Sequence, residues 1–355
     1  MSSIVKNSNG QVSDRPAQLK SRPNNPVPAE GENGLFSQTW FPVCLSSDVA
    51  RGQVIGRDFL DGRIVIFRGE NGQVAVMSAY CAHLGVDLTS GSVVGNNVRC
   101  DYHRFEYEQS GKCVRTGVDG PAPPVCLFRY PVVEKYGVVA VFNGEQPLFD
   151  FPTLFADEQD PQFAEENLLI KSAVAFDGLN CDPWVVSCNT PDNLHAKFTH
   201  GSAFPELTPK ATFTDYSMML EPCHIDVKPH DGERLVLEVS KIGNMGTNLF
   251  IIEQLFNGRR TAVLECFGLS RPGKTTNYIT VATPRGTTAE EQAQAREHVE
   301  RTWDEFKRII LEDVPFLDHA RFTQGALLPV DRTLGQYFNY LRRYPRAHPG
   351  SGFIK

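Results

Sequence analysis

The stretches CAHLG at residues 81–85 and CDYHRF at residues 100–105 decide how the first half of this chain folds. Each combines one cysteine with one histidine, spaced C-x-H in the first and C-x₂-H in the second. Short apolar runs with turn residues between them surround both stretches, and Asn71-Gly72 between two such runs is a strong hairpin signal. The pattern predicts a small all-β domain in which two loops each present one thiolate and one imidazole.

Three interpretations of this cysteine and histidine set are open. Chance is the first, because both residue types occur in turns. Structural zinc is the second, but zinc fingers pair like ligands, and C-x-H leaves little room for both side chains to bind one tetrahedral ion. The third is a [2Fe-2S] cluster of Rieske type, in which two cysteines hold one iron and two histidines the other. Mixed loops suit the cluster, so we favour it, with ligands Cys81, His83, Cys100 and His103.

A second pattern lies in NTPDNLHAKFTH at residues 189–200. Asp192 and His195 are three residues apart and share a face of a helix that begins near Pro191, and His200 follows five residues later. One interpretation is two surface histidines beside an N-capping aspartate. The other is that both histidines bind one iron from one side, as in the triad of two histidines and one carboxylate of non-heme iron oxygenases.

A helix predicted over residues 288–313, with Thr288 as its N-cap, offers the third ligand. Its apolar stripe consists of Val299, Trp303, Phe306 and Ile310, and the next position on that face is Asp313. A carboxylate aimed at a core is costly unless a partner takes its charge, and iron would be such a partner. Three alternatives stay open: Glu312, which should point elsewhere, another acid, and an Asp313 that merely ends the helix before Pro315.

Composition excludes several classes of protein. The chain has 355 residues, 41% of them hydrophobic and 22% charged, which is typical of a soluble protein with two domains. Its net charge of −7 argues against nucleic-acid binding, and no 18-residue apolar run suggests a membrane span. The first residues contain no apolar segment of the kind found in export signals, so we expect a cytoplasmic protein. Its nine cysteines should then be thiols or metal ligands rather than disulfides.

Together these residues resemble the Rieske non-heme iron oxygenases, in their oxygenase (α) component, over roughly residues 40–345. The His-Leu-Gly that ends the first loop and the Asp-Val-Pro segment at 313–315 are similar to the branch that contains 3-ketosteroid 9α-hydroxylase and aminopyrrolnitrin oxygenase. Two positions depart from the family pattern. Ala82 stands where many members have proline, and Arg104-Phe105 where many have Gly-Trp.

The resemblance implies an α+β fold. We expect an N-terminal all-β Rieske domain followed by a catalytic domain of helix-grip type, in which helices flank a seven-stranded antiparallel sheet. The expected boundaries are 1–34 for a disordered leader, 35–152 for the Rieske domain and 153–355 for the catalytic domain. Strand-like runs at 211–220 and beyond should form the wall of the substrate pocket. Its apolar candidates are Phe213, Met218, Phe250, Ile252, Leu255 and Phe267.

The resemblance also implies cofactors and residue roles. The cofactors are a Rieske [2Fe-2S] cluster and a mononuclear Fe(II) held by His195, His200 and Asp313, with O₂ as co-substrate. In the family's head-to-tail homotrimer, Asp192 would link a cluster histidine of one subunit to an iron-binding histidine of the next. Asn189 matches a polar position near the iron.

Electrons must come from another protein, because the sequence shows neither a dinucleotide-binding G-x-G-x-x-G after a strand nor a ferredoxin-type cysteine run. The expected donor is an NAD(P)H-dependent reductase, a ferredoxin, or both. The expected reaction is hydroxylation or oxidative demethylation of a small, cyclic organic substrate, with arylamine N-oxidation or desaturation as alternatives. A Rieske-type electron carrier without enzymatic activity is the remaining alternative.

Overall fold

The structure is a computed structural model that describes residues 26–157, 159–227, 234–256, 258–322 and 325–355. The strands of its first half are β1 (Phe36–Ser37), β2 (Trp40–Leu45), β3 (Val54–Phe59), β4 (Gly62–Arg68), β5 (Val74–Ser78), β6 (Ser92–Val94), β7 (Asn97–Arg99), β8 (Glu106–Tyr107), β9 (Cys113–Arg115), β10 (Val132–Lys135) and β11 (Val138–Phe142).

The second half contains the long strands and the helices. Its strands are β12 (Leu168–Leu179), β13 (Ala211–Phe213), β14 (Ser217–Leu220), β15 (Cys223–Val227), β16 (Leu235–Met245), β17 (Leu249–Phe256), β18 (Arg259–Arg271), β19 (Lys274–Pro284) and β20 (Arg346–Ala347). Its α helices are α1 (Pro183–Ser187), α2 (Asn193–Thr199), α3 (Ala289–Leu317), α4 (Arg332–Arg343) and α5 (Ser351–Ile354).

Three small antiparallel sheets form the first half, in the orders β3-β4-β5, β6-β7-β8-β9 and β10-β11-β2. The predicted hairpin is present: Arg68 of β4 pairs with Val74 of β5 across the turn at Asn71-Gly72. The first cysteine-histidine loop follows β5, and the second connects β7 to β8. The prediction of an all-β domain that presents both loops is therefore confirmed.

One antiparallel sheet dominates the second half, in the order β12-β19-β18-β17-β16-β14-β13, with β15 also paired to β16. Within the described residues it has eight strands, one more than the seven expected. The strand predicted over 211–220 is in fact two strands, because a turn closed by the Thr214 N–H donating to the Ser217 carbonyl at 2.9 Å separates β13 from β14.

Helix α3 packs along this sheet. Its start is fixed by a capping box, in which the Thr288 side chain accepts from the Glu291 N–H and the Glu291 carboxylate accepts in return. The predicted stripe packs inward, and Trp303 Nε1 donates to the Ile279 carbonyl of β19 at 3.1 Å. The helix continues to Leu317, so Asp313 lies inside it rather than at its end. A long helix across an antiparallel sheet is the helix-grip arrangement, and the predicted α+β fold is confirmed.

The two halves share a core. Trp40 of β2 and Phe142 of β11 pack in one cluster with Leu249 and Leu264 of the large sheet. Asn248 is buried at this junction, and its amide donates to the carbonyls of Trp40 at 2.9 Å and Phe267 at 2.8 Å. The halves that carry the cysteine-histidine loops and the 189–200 segment therefore form one packed structure. The domain boundary at residue 152 stays a prediction.

The predicted leader, residues 1–34, lies outside the described residues as far as residue 25. Its described part is packed. Glu30 is 3% exposed, and its carboxylate accepts from the Ser37 N–H at 2.9 Å. The Glu30 N–H donates to Asp182, just before α1, at 2.9 Å. The chain before β1 is therefore tied to the second half.

None of the helices within the described ranges is both long and apolar enough to cross a lipid bilayer.

Candidate metal centres and cavity

The two cysteine-histidine loops share one backbone geometry. In the first, the Gly85 N–H donates to the Cys81 carbonyl at 2.8 Å, and in the second the Arg104 N–H donates to the Cys100 carbonyl at 2.9 Å. The residue that closes each turn is left-handed, with φ of +71° at Gly85 and +61° at Arg104. Arginine occupies this conformation at a steric cost that glycine avoids. Arg104 departs from the family pattern, but the second loop still has the same turn geometry as the first.

Both thiols lie beneath the surface. Cys81 is 3% exposed and Cys100 is 2% exposed, and burial raises the pKa of the Cys100 thiol. Tyr107 of β8 is fully buried beside them, with its hydroxyl 3.1 Å from Cys81 Sγ. Burial and the neighbouring thiol raise the pKa of Tyr107, so its hydroxyl keeps its proton and can donate to a sulfur ligand. The same hydroxyl accepts from the Ala82 N–H at 3.0 Å.

The two histidines lie above the thiols and are exposed. The rings of His83 and His103 are 4.7 Å apart between centroids, and His83 stacks on Phe105 at 4.6 Å. Two buried sulfur donors below two exposed nitrogen donors fit a cluster with one iron at each level better than one tetrahedral ion. A histidine-bound iron placed here would be the more accessible of the two to an electron-transfer partner.

The second predicted pattern lies on α2 and the turn before it. Asp192 is the N-cap of α2, and its Oδ1 accepts from the His195 N–H at 2.9 Å. The preceding turn is anchored to the sheet by buried Asn244, which accepts from Thr190 Oγ1 at 2.8 Å and donates to the Ser187 carbonyl at 2.8 Å. Since His200 is the C-cap, one short helix places both imidazoles.

The structure brings His195, His200 and Asp313 together. The two Nε2 atoms are 3.0 Å apart, and each lies 3.2 Å from Asp313 Oδ1. Asp313 is 3% exposed and approaches from α3, on the stripe where the sequence placed it. No other set of three metal-ligating side chains is as tightly grouped among the described residues.

Outer contacts orient these three side chains. The Asn189 amide donates to Asp313 Oδ2 at 2.9 Å, which leaves Oδ1 for the histidines. His200 Nδ1 lies 2.8 Å from Glu312 Oε2. Because a carboxylate only accepts, Nδ1 carries the proton and Nε2 presents its lone pair. Arg308, one turn earlier on α3, also pairs with Glu312.

Glu312 lies outside the group of three, in the direction expected for it, but it is not remote from the site. Its side chain leaves α3 about 100° from Asp313, as the helical geometry requires. However, His200 lies between the two positions and contacts Asp313 through one ring nitrogen and Glu312 through the other. Sequence periodicity around α3 could not show that the end of α2 docks there.

The residues fit a metal ion. Ligands that occupy adjacent octahedral positions at about 2.1 Å from an ion are about 3.0 Å apart, close to the three distances found here. Asp313 Oδ1 is buried and accepts no hydrogen bond of acceptable geometry within the described chain. Burial would raise the pKa of Asp313, but the two imidazoles outweigh it and lower that pKa. A cation at the centre would satisfy this otherwise unpartnered oxygen.

A cavity of about 840 Å³ opens beside the three side chains, between α3 and the large sheet. Three of the six predicted wall residues line it, namely Phe250, Ile252 and Phe267. The other three do not: Met218 is core, Phe213 packs against Tyr340, and Leu255 lies on the other face of β17. A polar lining residue that the sequence reading missed is Glu265, which sits on β18 between apolar neighbours.

Comparison with known proteins identifies the first region. Residues 39–131 match the family model described as "Rieske [2Fe-2S] domain". The match spans both cysteine-histidine loops, so this part of the chain is a Rieske domain. A Rieske cluster is accordingly a cofactor of this protein.

Known relatives include oxygenases. The chain is 33% identical over 112 residues to a probable 3-ketosteroid-9-alpha-monooxygenase oxygenase component from Rhodococcus rhodochrous, covering 31% of this chain and 28% of that protein. It is 30% identical over 181 residues to chlorophyllide a oxygenase from Oryza sativa subsp. japonica, covering 50% and 31%. The matched segments thus span about a third of the length of these relatives.

Solved structures extend the likeness to the whole fold. NdmA of Pseudomonas putida CBB5, solved with caffeine, has a TM-score of 0.64 at 16% identity, covering 86% of this chain and 90% of NdmA. Dicamba monooxygenase bound to dicamba has a TM-score of 0.61 at 15% identity, covering 86% and 97%. The resemblance to Rieske non-heme iron oxygenase components is confirmed in domain and in fold.

Proposed function

We propose that this chain, whose residues 39–131 form a Rieske domain, is the oxygenase component of a multicomponent system. It would use O₂ and electrons from a separate NAD(P)H-dependent reductase or ferredoxin to hydroxylate or oxidatively demethylate a small, cyclic organic substrate. The observation that carries the proposal is the convergence of His195, His200 and Asp313 within about 3 Å at the wall of a large cavity. An electron carrier needs the cluster loops but has no use for a second metal site beside a cavity.

In this proposal Cys81, Cys100, His83 and His103 hold the cluster, and His195, His200 and Asp313 hold one Fe(II) on one face. When bound, the cluster supplies single electrons, and the iron supplies the chemistry that activates dioxygen for attack on the substrate. Three protein ligands leave the remaining positions open toward the cavity.

The surrounding residues would prepare the site. Asn189 holds the outer oxygen of Asp313, and Glu312 holds the proton on His200 Nδ1, so both ligands keep their lone pairs directed at the metal position. The apolar wall of Phe250, Ile252 and Phe267 excludes water and retains the substrate near that position.

Asp192 would link the two metal regions of adjacent subunits. One of its oxygens caps α2 at His195, and the side chain is half-buried, so it can meet a partner on its outer side. A carboxylate between two imidazoles orients both rings. The exposed histidines of the Rieske loops are suited to such a contact in a head-to-tail homotrimer.

The test is oxygen uptake by the full chain reconstituted with iron and sulfide and supplied with electrons from a reductase. We expect uptake that depends on an added steroid, aromatic or alkaloid-like compound, together with a product labelled from ¹⁸O₂. His195→Ala should still accept electrons at its Rieske centre but lose the coupled uptake. Substrate oxidation undiminished in His195→Ala would instead contradict the mononuclear site.

Arylamine N-oxidation and desaturation would use the same residues, and product analysis in the same assay separates them from hydroxylation. The electron-carrier alternative predicts normal reduction of the Rieske centre and no oxygen uptake with any compound.

A further inference from the structure

We infer that Glu265 makes the cavity selective for substrates that carry a basic nitrogen, an amine or protonated heterocycle that pairs with its carboxylate. This inference rests on the proposed function, because it names the class of substrate for that site. It follows from the position of Glu265, its unfilled bonding capacity, and the charge of the cavity's rim.

The carboxyl group of Glu265 lies on the cavity side of the sheet. Glu265 lies on the same face of β18 as Val263 and Phe267, which pack in the core under α3. Its cross-strand neighbour on β17 is Phe250. Phe250 and Phe267 line the cavity with it. Glu265 is 5% exposed, so an acidic group is set into an otherwise apolar wall.

The partners of Glu265 leave capacity for a ligand. Its Oε2 accepts from the Asn277 amide of β19 at 2.8 Å, and no other hydrogen bond to its carboxylate is found among the described residues. An ionised carboxylate can accept about four hydrogen bonds. Arg260, on the same strand, is not its partner, because it pairs with Glu253. A buried carboxylate with one neutral donor lacks the counter-charge that such groups normally have.

A second buried polar atom faces the same space. Gln254 of β17 is 4% exposed and lines the cavity, and its Oε1 has no hydrogen-bond partner within the described chain. Gln254 shares its strand face with Phe250 and Ile252, since alternate residues of a strand point to one side. An unpartnered amide oxygen beside a carboxylate with one donor indicates a ligand that brings N–H groups rather than a purely apolar one.

The rim of the cavity carries the matching charge. The charged residues of α3 on its lining, Asp313 aside, are four acids and two arginines: Glu297, Glu300, Asp304, Glu305, Arg301 and Arg308. Arg308 is engaged by Glu305 and Glu312, and Glu300 pairs with Lys171, which leaves two acids, Glu297 and Asp304, against Arg301 among the described residues of this rim. This small excess of negative charge favours cations over anions at the entrance.

The electrostatics of Glu265 agree with this assignment. Burial raises the pKa of Glu265 to about 7; the Asn277 hydrogen bond opposes that shift, and the charges of Asp313 and His200 act on it in opposite directions. A cationic ligand would favour the ionised form and supply the counter-charge. Substrates with a carboxylate would meet repulsion at the same position.

Binding to matched probes tests the inference without turnover. Isothermal titration calorimetry of the iron- and sulfide-loaded chain compares 2-phenylethylamine with 2-phenylethanol, and tryptamine with tryptophol. The members of each pair differ in one group, which is cationic in the amine and neutral in the alcohol. We expect the amine of at least one pair to bind about tenfold more tightly than its alcohol.

Two variants test whether Glu265 causes the difference in affinity between amine and alcohol. Glu265→Gln keeps the size of the side chain and an oxygen for Asn277, and should weaken amine binding about tenfold while alcohol binding changes less than about twofold. Glu238→Gln, on the exposed face of β16 and absent from the cavity lining, removes the same charge and should leave both affinities unchanged.

An amine that binds no more tightly than its alcohol in both pairs, or that binds Glu265→Gln as well as it binds the wild type, overturns the inference. Neither result touches the oxygenase proposal, which depends on coupled oxygen uptake. Conversely, amine-selective binding without any oxygen uptake would preserve the inference about the cavity and defeat the proposed reaction.

Discussion

The two metal regions differ in how much of their geometry the polypeptide sets by itself. The Rieske ligands sit on turns between short strands, with thiols buried and imidazoles exposed. The triad of His195, His200 and Asp313 lies on two helices, and its ligand atoms are already within 3.2 Å of one another. The helices and the sheet bring the ligand atoms of the second site together, whereas the proposed ligands of the first lie on two turns that pack around Tyr107 and leave their histidines exposed.

The largest effect is expected from removing the carboxylate that helix α3 contributes to the second site. Asp313→Ala should lose the mononuclear iron and reduce turnover by about a thousandfold or more, since a metal-dependent step loses a ligand and its charge. The Rieske absorption and resonance signals should stay unchanged, because no Rieske ligand lies on α3. Iron analysis with absorption spectroscopy measures both, and normal iron content in this variant would mean that another group is the ligand.

The next largest effect is expected from a substitution at Asp192, the proposed link between the two metal regions. Asp192→Asn keeps an N-cap for α2, because asparagine caps as well as aspartate, but removes the negative charge. Both metal sites should stay filled, while transfer of the electron and steady-state turnover fall by about a hundredfold. Single-turnover kinetics with a pre-reduced cluster provide the measurement. Unchanged transfer would exclude Asp192 as the connection.

A smaller effect is expected from the outer contact of His200. Glu312→Gln replaces the charged acceptor at Nδ1 by a neutral amide that can either accept or donate, so the proton on Nδ1 is no longer fixed, and iron affinity should weaken about tenfold to a hundredfold. Glu290→Gln, in the exposed first turn of the same helix, is the matched control and should have no effect on iron. Competition with a chelator determines both affinities. If the two variants retain iron equally well, Glu312 does not orient the ligand.

The smallest effect concerns the Rieske loops. Tyr107→Phe deletes a hydrogen bond to Cys81 Sγ that stabilises the more negative, reduced cluster, so the reduction potential should fall. A hydrogen bond worth about 1 kcal/mol corresponds to about 40 mV for one electron. Tyr102→Phe, at an exposed ring of the same loops, should leave the potential unchanged. A redox titration in which both variants match the wild type would show that the hydroxyl does not tune the cluster.

The sequence was sufficient to predict the positions of residues that depend on local spacing and periodicity. Spacing alone paired each cysteine with a histidine, and the 3.6-residue repeat of α3 placed Asp313 on the inner face. It failed where two elements meet. Glu312 contacts His200 because α2 ends against α3, and nothing local to either segment encodes that docking.

Strand register set the other limit. Leu255 was wrongly placed in the cavity wall because neighbouring residues of a strand point to opposite faces, and Phe213 and Met218 were wrongly placed there because they pack against other parts of the core. Glu265 was missed for a related reason: a single acid within the apolar run of β18 gives no sign of facing a cavity until its neighbours Phe250 and Asn277 are known.

The most direct test of the account is the iron and sulfide content of the purified chain, combined with electron paramagnetic resonance after reduction. We predict about three irons and two acid-labile sulfides per chain, with a rhombic signal of the reduced Rieske cluster. A protein that contains zinc in place of iron and sulfide, or shows no rhombic signal even after reconstitution with both, would contradict the account.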